Sequence, residues 1–312
     1  MRKSRTYLLL TGGLGNQLFQ LAAALEIGSE ELYVEVKSGN PRSTNGTPDV
    51  FLFDLSETAP KIINFNNGGR RKNLARIYGF LIRSHLNQDR GKIYGSFRWI
   101  GKTFANVILI SIYRKLFFLY VPKDIGYEDS PKSNRKFLVG YFQSYKFAES
   151  SIVARQLQKL KPIAMSARLQ NLIELAKKEA PIFVHLRLSD YRSHSHFGIP
   201  SLSYYRDAIT MLNTDEKRRI WIFSDEIHAA ESFSKNFINS YVVNDDNLSP
   251  AEILELFKYG GDYVIANSTF SWWGAQLRKD STARVLAPTP WFKENVEPTE
   301  IIPPNWIRIK AF

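Results

Sequence analysis

Cysteine is absent from all 312 residues of this chain. Its absence excludes disulfide bonds, thiolate nucleophiles and cysteine-ligated metals, and it agrees with a reducing compartment. A long apolar run at the N-terminus is also missing, because the first such run ends at Leu10 and passes into Gly12 and Gly13. That run is too short for the apolar core of a secretory signal, so we expect no signal peptide here.

Aspartates with the spacing Asp-x-Asp, which often hold a divalent cation on the phosphates of a nucleotide-sugar, are missing as well. Asp245 and Asp246 are adjacent, and Asp225 is followed directly by Glu226. We therefore expect a protein that requires no metal cofactor.

Acidic residues are almost absent from residues 66–123, which we call the basic segment. It holds one acidic residue, Asp89, and twelve basic residues that account for +11 of the formal +12 charge: Arg70, Arg71, Lys72, Arg76, Arg83, Arg90, Lys92, Arg98, Lys102, Arg114, Lys115 and Lys123. Such a segment is typical of contact with nucleic acid or an anionic membrane, or of a solvated face. Residues 104–121 have the length of a membrane span, but Arg114 and Lys115 favour a packed or interfacial helix instead.

The order of apolar and polar stretches predicts an α/β protein. A strand at residues 6–10, a helix capped by Asn16 and ending near Ile27, and a strand at residues 32–36 form a βαβ opening, followed by irregular loop at residues 37–69. From Ile182 onward, strands alternate with helices, which predicts a parallel sheet with its ligand site at the carboxyl ends of the strands. The length fits two domains or one large one. The stretch KLKPIAMSA interrupts two helical patterns and places a boundary near residues 160–167, which gives domains of residues 1–160 and 161–312.

A glycine-rich turn joins the first strand to the first helix. Gly13, Gly15, Asn16 and Gln17 bring bare backbone N–H groups close to a phosphate or a sugar. A dinucleotide fingerprint would need a third glycine at Leu18, and a purely structural βα turn also explains the pattern.

The stretch from His185 to Tyr191 carries an imidazole, a guanidinium and a carboxylate where a strand ends. If the segment is extended, His185 and Arg187 point to the same side. A guanidinium suits an anionic leaving group such as a diphosphate, because it holds two oxygens at once. A structural ion pair between Arg187 and Asp190 is the alternative.

A second candidate anion site follows a later apolar strand. Asn267, Ser268, Thr269 and Phe270 lie where a helix begins, so that hydroxyls and free N–H groups meet there. The hydroxyls are equally explained as ordinary N-caps, and of the adjacent Trp272 and Trp273 at least one belongs to the core.

Several of these motifs resemble glycosyltransferase family 11 and occur in the family's order. They are GGLGNQLFQLA near the N-terminus, GYFQSYKF from Gly140, HLRLSDY from His185, YYRDAI from Tyr204, IFSDE from Ile222 and VIANSTFSWWGA from Val264. The resemblance covers nearly the whole chain except the basic segment. It implies an α-1,2-fucosyltransferase of bacterial type with a GT-B-like fold, two Rossmann-like domains facing across a cleft.

The implied reaction moves L-fucose from GDP-β-L-fucose to the 2-hydroxyl of a galactoside, with inversion and without metal. The catalytic candidates are His185, Arg187 and Asp190, with Asp190 either the base or the group that orients Arg187 or His185. The donor-binding candidates are Gly13, Gly15, Asn16, Gln17, Asp225, Glu252 (at the guanine edge), Asn267, Ser268, Thr269 and Phe270. Residues 1–160, with the basic segment as an insertion, form the acceptor side, and residues 161–312 bind GDP-fucose.

The chain departs from the family's second motif, which usually reads His-x-Arg-Arg-Gly-Asp-Tyr. Here the middle is Leu188-Ser189, while His185, Arg187, Asp190 and Tyr191 are retained. The departure puts any role of a second arginine in doubt.

The resemblance also implies partners and a location. The acceptor is a galactose-terminated, lipid-linked oligosaccharide for a surface polysaccharide such as O-antigen, and the enzyme is cytoplasmic, peripheral on the inner face of the inner membrane. Two rival classes stay open on the residues alone. A nicotinamide-dependent oxidoreductase explains the βαβ opening, and a nonenzymatic nucleic-acid-binding protein explains the basic segment.

Overall fold

The structure is a computed structural model of the chain. It describes residues 4–36, 49–64, 119–120, 126, 137–193, 196–214, 216–243, 247–294, 298 and 300–312. The basic segment, except for Leu119 and Tyr120, and the predicted membrane contact therefore lie outside the described residues. In the described part of the chain, no helix has both the length and the apolar character needed to cross a bilayer.

The chain divides into two compact units, each of which is described by itself. The first unit comprises Met1–Pro48 and Leu55–Gln156, and the second comprises Asp49–Asp54 and Leu157–Phe312. The short segment Asp49–Asp54 thus belongs to the second unit, although the sequence assigned it to the first domain. Backbone hydrogen bonds hold it there, from Asp54 N to Lys161 O at 2.9 Å and from Ile163 N to Leu52 O at 2.9 Å.

The first unit is built on a parallel five-stranded sheet with the order β3-β2-β1-β5-β4. Its strands are β1 (Arg5–Leu10), β2 (Glu31–Val36), β3 (Lys61–Asn64), β4 (Leu119–Tyr120) and β5 (Phe137–Leu138). Its helices are α1 (Leu14–Glu26) and α2 (Tyr145–Glu149), and α3 (Ser151–Lys159) begins in this unit and ends in the second. The helix α1 is buried along most of its length, because it carries apolar residues around nearly its whole circumference.

The second unit contains a parallel six-stranded sheet with the order β11-β10-β9-β6-β7-β8. Its strands are β6 (Ile182–Leu186), β7 (Ile220–Ser224), β8 (Ser240–Val242), β9 (Asp262–Val264), β10 (Val285–Thr289) and β11 (Ile307–Lys310). Its helices are α4 (Ala167–Glu179), α5 (Ser189–Arg192), α6 (Leu202–Leu212), α7 (Ile227–Ser234), α8 (Pro250–Phe257) and α9 (Thr269–Gln276). Every residue of β6 and β7 is buried, as expected for central parallel strands covered on both faces.

Two local predictions are wrong in the first part of the chain. The loop predicted at residues 37–69 contains a 3₁₀ turn at Asp49–Leu52 and the strand β3, which pairs with β2. The helix α1 is capped by Gly13 rather than by Asn16, since it already begins at Leu14. Asn16 therefore lies within the first turn of the helix.

Candidate active site

The candidate site of the second unit lies where the order of strands in its sheet reverses, at β6. From β6 the chain continues to β7 and β8 on one side of the sheet, and it returns on the other side of β6 as β9, β10 and β11. Ligands of open α/β sheets bind at such a switch point, outside the carboxyl ends of the strands. The predicted parallel sheet is confirmed, and the segments after β6, β7 and β9 share this edge.

Arg187 is the residue that the neighbouring groups converge on. Its Nη2 lies 2.9 Å from Oδ1 of Asp190 and its Nη1 lies 3.0 Å from Oδ2 of Asp225. The guanidinium also lies 5.9 Å from the ring centroid of Tyr191, within the range of a cation–π contact. The predicted ion pair between Arg187 and Asp190 is present, but it is one half of a clamp that two carboxylates form.

The strand β6 ends at Leu186, one residue before Arg187. The expectation that His185 and Arg187 point to the same side assumed an extended segment through Arg187. Because the strand ends before Arg187, the alternation of side chains along a strand does not fix the direction of the Arg187 side chain. The orientation of Arg187 follows instead from its two ion pairs. The local backbone turns into α5, where Ser189 and Asp190 are the first residues.

Asp225 holds this arrangement together by accepting from several donors. Its Oδ1 accepts the backbone N–H of Leu188 at 2.9 Å, and its Oδ2 accepts the N–H of Ser189 at 3.3 Å and the Ser189 hydroxyl. Burial alone raises the pKa of Asp225, but the Ser189 hydrogen bond, the charge of Arg187 and the Leu188 N–H outweigh it and hold the pKa below its ordinary value. Asp225 is therefore an anion that fixes the turn after β6.

The two residues that depart from the family's motif take part in this turn. Leu188 packs against the core cluster of the second unit, and the Ser189 hydroxyl donates to Asp225. Ser189 is a site residue that sequence reasoning missed, because its partner lies 36 positions away. The hydroxyl adds a hydrogen bond that a glycine at this position cannot make.

His185 is a buried and uncharged member of the site. Its side chain lies among aromatic rings, with centroids 6.0 Å from Phe257 and 6.0 Å from Phe270. Burial, followed by the nearby charge of Arg187, lowers the pKa of His185 to about 3. The imidazole is therefore neutral near pH 7, and its buried Nδ1 has no hydrogen-bond partner among the described residues.

The loop after β9 lies beside the turn after β6. The Tyr191 hydroxyl donates to the backbone oxygen of Asn267 at 2.8 Å, and Nδ2 of Asn267 donates to the Phe197 oxygen at 2.9 Å and to the Gly198 oxygen at 3.1 Å. The buried Oδ1 of Asn267 has no partner in the described part of the chain. Ser268 caps α9 without a side-chain hydrogen bond, so its hydroxyl is not used as an ordinary N-cap.

The helix α9 is fixed by packing rather than by polarity. Trp272 and Trp273 are both fully buried, and Nε1 of Trp272 donates to the Ile301 oxygen at 2.6 Å. A side chain at Gly274 would collide with Phe257, so the glycine permits α9 to lie close to α8. This packing holds Thr269 and Phe270 in the first turn of the helix, with the Phe270 ring beside that of His185.

The carboxylate of Glu252 is already used in hydrogen bonds that stabilise the fold. It forms a capping box at the start of α8, where its Oε2 accepts from Ser249 N at 2.9 Å and its Oε1 accepts from Ser166 N at 3.0 Å. Both carboxylate oxygens therefore already accept backbone hydrogen bonds, and the side chain is buried. We therefore leave Glu252 out of the donor site that we propose below.

The glycine-rich turn of the first unit forms a separate cluster. Gly12 adopts a positive φ of 75°, and a side chain there would overlap Asn16. The buried Gln17 donates from Nε2 to the Gly12 oxygen at 3.0 Å, which stabilises the turn itself. Gly13 faces open space and Gly15 is buried within α1.

Within the described residues, no group of three or more histidine, aspartate or glutamate side chains has the arrangement of a metal site. The absence of a metal requirement stays a prediction.

Comparison with known proteins identifies the family. The model of glycosyl transferase family 11 matches residues 89–310, which is more than two thirds of the chain. The chain belongs to this family. This family 11 member is therefore a glycosyltransferase, as its motifs indicated.

Two curated proteins of Escherichia coli are similar to it. The O-antigen biosynthesis glycosyltransferase WbnK is 25% identical over 97% of this chain and 100% of its own length. An alpha-1,2-colitosyltransferase is 28% identical over 55% of this chain and 62% of its own length.

Among solved structures, the fucosyltransferase NodZ from Bradyrhizobium superimposes with a TM-score of 0.50 at 13% identity, covering 91% of this chain and 97% of that one. This likeness concerns the fold alone. Together with the two parallel sheets, it confirms the GT-B-like α/β fold class.

Proposed function

We propose that this family 11 enzyme transfers L-fucose from GDP-β-L-fucose to the 2-hydroxyl of a terminal galactoside in O-antigen synthesis, inverting the anomeric centre without a metal. The α-1,2 linkage and the GDP-fucose donor are the finer parts of the proposal. The family motifs support both, the name of the colitosyltransferase supports the linkage, and the name of WbnK supports the O-antigen acceptor.

The observation that carries the proposal is the clamped guanidinium at the switch point. Arg187 is 15% exposed, and Asp190 and Asp225 hold its two terminal nitrogens. The loop before α9 lies against the same turn through the bond from Tyr191 to Asn267. A guanidinium held in a fixed orientation suits a diphosphate, because each terminal nitrogen has a second N–H to donate, and the first turn of α9 adds the partial positive charge of a helix N-terminus.

In this reaction the acceptor O2 forms a bond to C1 of fucose while the bond from C1 to the β-phosphate oxygen breaks. The electron pair of that bond leaves with GDP, so negative charge grows on the β-phosphate as the ring becomes oxocarbenium-like. Arg187 and the first turn of α9 stabilise that charge. Hydrogen-bond donors that are already oriented before the reaction stabilise such a developing charge most effectively. GDP release then ends the cycle.

The proton of the acceptor hydroxyl goes either to Asp190 or to a phosphate oxygen. The 2.9 Å contact between Asp190 and Arg187 favours the orienting role for this carboxylate. Asp190→Asn tests the alternative. If Asp190 is the base, the variant loses about 10²–10⁴ in kcat together with the acid limb of the pH profile. An orienting carboxylate gives a smaller loss and leaves the limb in place.

Incubation of purified enzyme with radiolabelled GDP-fucose and a panel of galactose-terminated disaccharides tests the function. GDP-colitose serves as a second donor, because one relative is named for colitose transfer and colitose is L-fucose without its 3-hydroxyl. We expect α-1,2-fucosylated product, and the matched variant Arg187→Lys should form little of it. Transfer of colitose alone would replace the donor, and no transfer from either donor would contradict the proposal.

We also propose that the acceptor is lipid-linked and that the basic segment brings the enzyme to the anionic inner face of the inner membrane. Each cation near such a surface contributes on the order of 1 kcal/mol, and salt screens it. Charge reversal at Arg70, Arg71 and Lys72 should reduce co-sedimentation with anionic liposomes while transfer to a soluble disaccharide persists. Equal binding to neutral liposomes would contradict this part.

A further inference from the structure

The first unit has a switch point of its own. In its sheet β1 lies between β2 and β5, and the chain runs from β1 to β2 and β3 on one side and comes back as β4 and β5 on the other. The glycine-rich turn follows β1, and the segment from Val139 to Ser144 follows β5. Both segments therefore lie at the carboxyl ends of adjacent strands, where α/β sheets bind ligands.

A pair of carboxamides joins these two segments. Nε2 of Gln143 donates to Oδ1 of Asn16 at 2.9 Å. Gln143 is only 7% exposed, and its buried Oε1 has no hydrogen-bond partner among the described residues. A buried carbonyl oxygen without a partner costs about 1–3 kcal/mol, so a structure that retains one calls for a ligand that supplies the donor.

The backbone around Gln143 is held firmly enough to aim the side chain. Phe142 is fully buried and adopts a positive φ of 54°, which a bulky residue rarely does. Its ring packs edge-on against Phe147 at 6.0 Å. From the other segment, Nε2 of Gln20 donates to the Gly140 oxygen at 2.9 Å. These contacts fix the loop after β5 against the helix that carries Asn16.

The chemistry of the pair selects its ligand. In the orientation that the structure shows, Nε2 of Gln143 is used by Asn16, and Oε1 of Gln143 remains as an uncharged acceptor. A sugar hydroxyl can donate to this oxygen and can also accept from a neighbouring N–H. A phosphate oxygen would face a carbonyl lone pair. The cluster therefore suits a neutral polyol, unlike the charged clamp at Arg187.

We propose that Gln143 and Asn16 form a hydroxyl-binding subsite for the acceptor sugar, in which Oε1 of Gln143 accepts a hydrogen bond from a galactoside hydroxyl other than the reacting one. This assigns Asn16, a donor-binding candidate from the motifs, to the acceptor instead. Gln143 lies in the family motif GYFQSYKF, but no site role was predicted for it. The inference rests on the proposed function for the identity of the sugar. It depends on the geometry of the first unit for everything else.

The test uses Gln143→Met, which keeps the shape and removes both polar atoms, and Gln143→Asn, which keeps the amide but shortens its reach. Gln156→Met is the matched control, because its Oε1 accepts only an exposed hydrogen bond from Ala59 N at 2.9 Å. We expect Gln143→Met to raise the acceptor KM about tenfold. The donor KM, the affinity for GDP and the Tm should stay near those of the control.

Deoxygenated galactosides identify the hydroxyl. Wild-type enzyme should lose about tenfold in kcat/KM on one of the 3-, 4- or 6-deoxy acceptors, and Gln143→Met should show no further loss on that same acceptor. Additive losses on all three acceptors would overturn the proposal, as would a rise in donor KM.

Saturation-transfer NMR with lactose keeps the question separate from catalysis. A signal in wild type and in Gln156→Met that Gln143→Met and Gln143→Asn lack supports the subsite even if GDP-fucose is not the donor. An equal signal in every variant, or no signal in wild type, overturns it. Failure of the proposed function alone would appear differently, as lactose binding without transfer.

Discussion

Replacement of Asp225 by asparagine tests whether the turn after β6 is held by charge. The amide is isosteric, and its oxygen can still accept the Leu188 N–H. Its NH₂ group would then take the place of Oδ2, which now accepts from Ser189 and lies 3.0 Å from Nη1 of Arg187. A donor would thus face donors, and Arg187 would keep Asp190 as its one carboxylate partner in the clamp.

The size of the effect follows from the exposure of the pair. A hydrogen bond to a charged group contributes about 1.5–3 kcal/mol, and breaking a fully buried ion pair costs about 3–5 kcal/mol. The side chains of Arg187 and Asp225 are 15% and 20% exposed, so solvent screens part of this interaction. We expect the free energy of unfolding of the second unit to fall by about 2–3 kcal/mol, which lowers its Tm by about 4–12 °C.

The loss of activity should exceed what instability explains. A guanidinium held by one carboxylate only is less often oriented toward the diphosphate, so we expect kcat to fall about 10- to 100-fold. This loss is smaller than the 10²- to 10³-fold fall in kcat that follows removal of a hydrogen-bond donor. Glu226→Gln is the matched control at the next residue. Its carboxylate pairs with Arg192 at 3.0 Å on the surface, where a pair contributes about 0.2–1 kcal/mol.

Thermal melting with and without GDP, and steady-state kinetics, are measured on both variants. If Asp225→Asn has the same Tm, GDP affinity and kcat as Glu226→Gln, the turn after β6 is not held by the charge of Asp225. The pH dependence is a second check. Because the folded state lowers the pKa of Asp225, its stabilisation is complete above the unfolded value of about 3.9 and is lost as pH falls through the folded value. The Tm difference between wild type and Asp225→Asn should therefore shrink below about pH 4.

Three further outcomes are expected. Arg187→Lys should retain the fold and lose about 10²–10³ in kcat, since an ammonium cannot replace a bidentate fork, and near wild-type turnover would leave Arg187 a structural role only. Transfer should persist in excess EDTA, and a loss that Mg²⁺ or Mn²⁺ restores would contradict the metal-free mechanism. The imidazole protons of His185 should show no NMR titration between pH 5 and 8, because burial lowers its pKa to about 3. Its depressed pKa makes the fold less stable as pH falls below the ordinary histidine value of about 6.5, and a titration near that value would contradict its burial.

Much of the second unit was predictable from its sequence. Continuous apolar runs at β6 and β7 are typical of strands buried on both faces, and the helices between them have clear periodicity. Once a parallel sheet is predicted, the polar residues after β6, β7 and β9 must share one edge. That is why Arg187, Asp225 and Asn267 were found together.

Contacts that join distant positions were not predictable. The hydrogen bond from Ser189 to Asp225 joins residues 36 positions apart, and the identity of neither residue indicates which partner it will have. The strands β3 and β11 are four residues each and carry little pattern. For Glu252 the signal was present, because Ser249 and Glu252 have the Ser-x-x-Glu spacing of a capping box. That spacing explains the carboxylate without any ligand.

The two switch points differ in charge, and that difference limits what each can bind. In the second unit a guanidinium lies between two carboxylates, so a bound diphosphate competes with two fixed anions for its N–H groups. The guanidinium therefore stabilises the diphosphate most when negative charge grows on the β-phosphate, as the bond to C1 of fucose breaks. In the first unit the paired groups of Asn16 and Gln143 are neutral. Neutral amides give weak, direction-dependent binding that distinguishes one hydroxyl pattern from another. High salt should therefore weaken GDP binding while the affinity for a neutral acceptor changes little, and an equal salt dependence of both would contradict this division between charged and neutral sites.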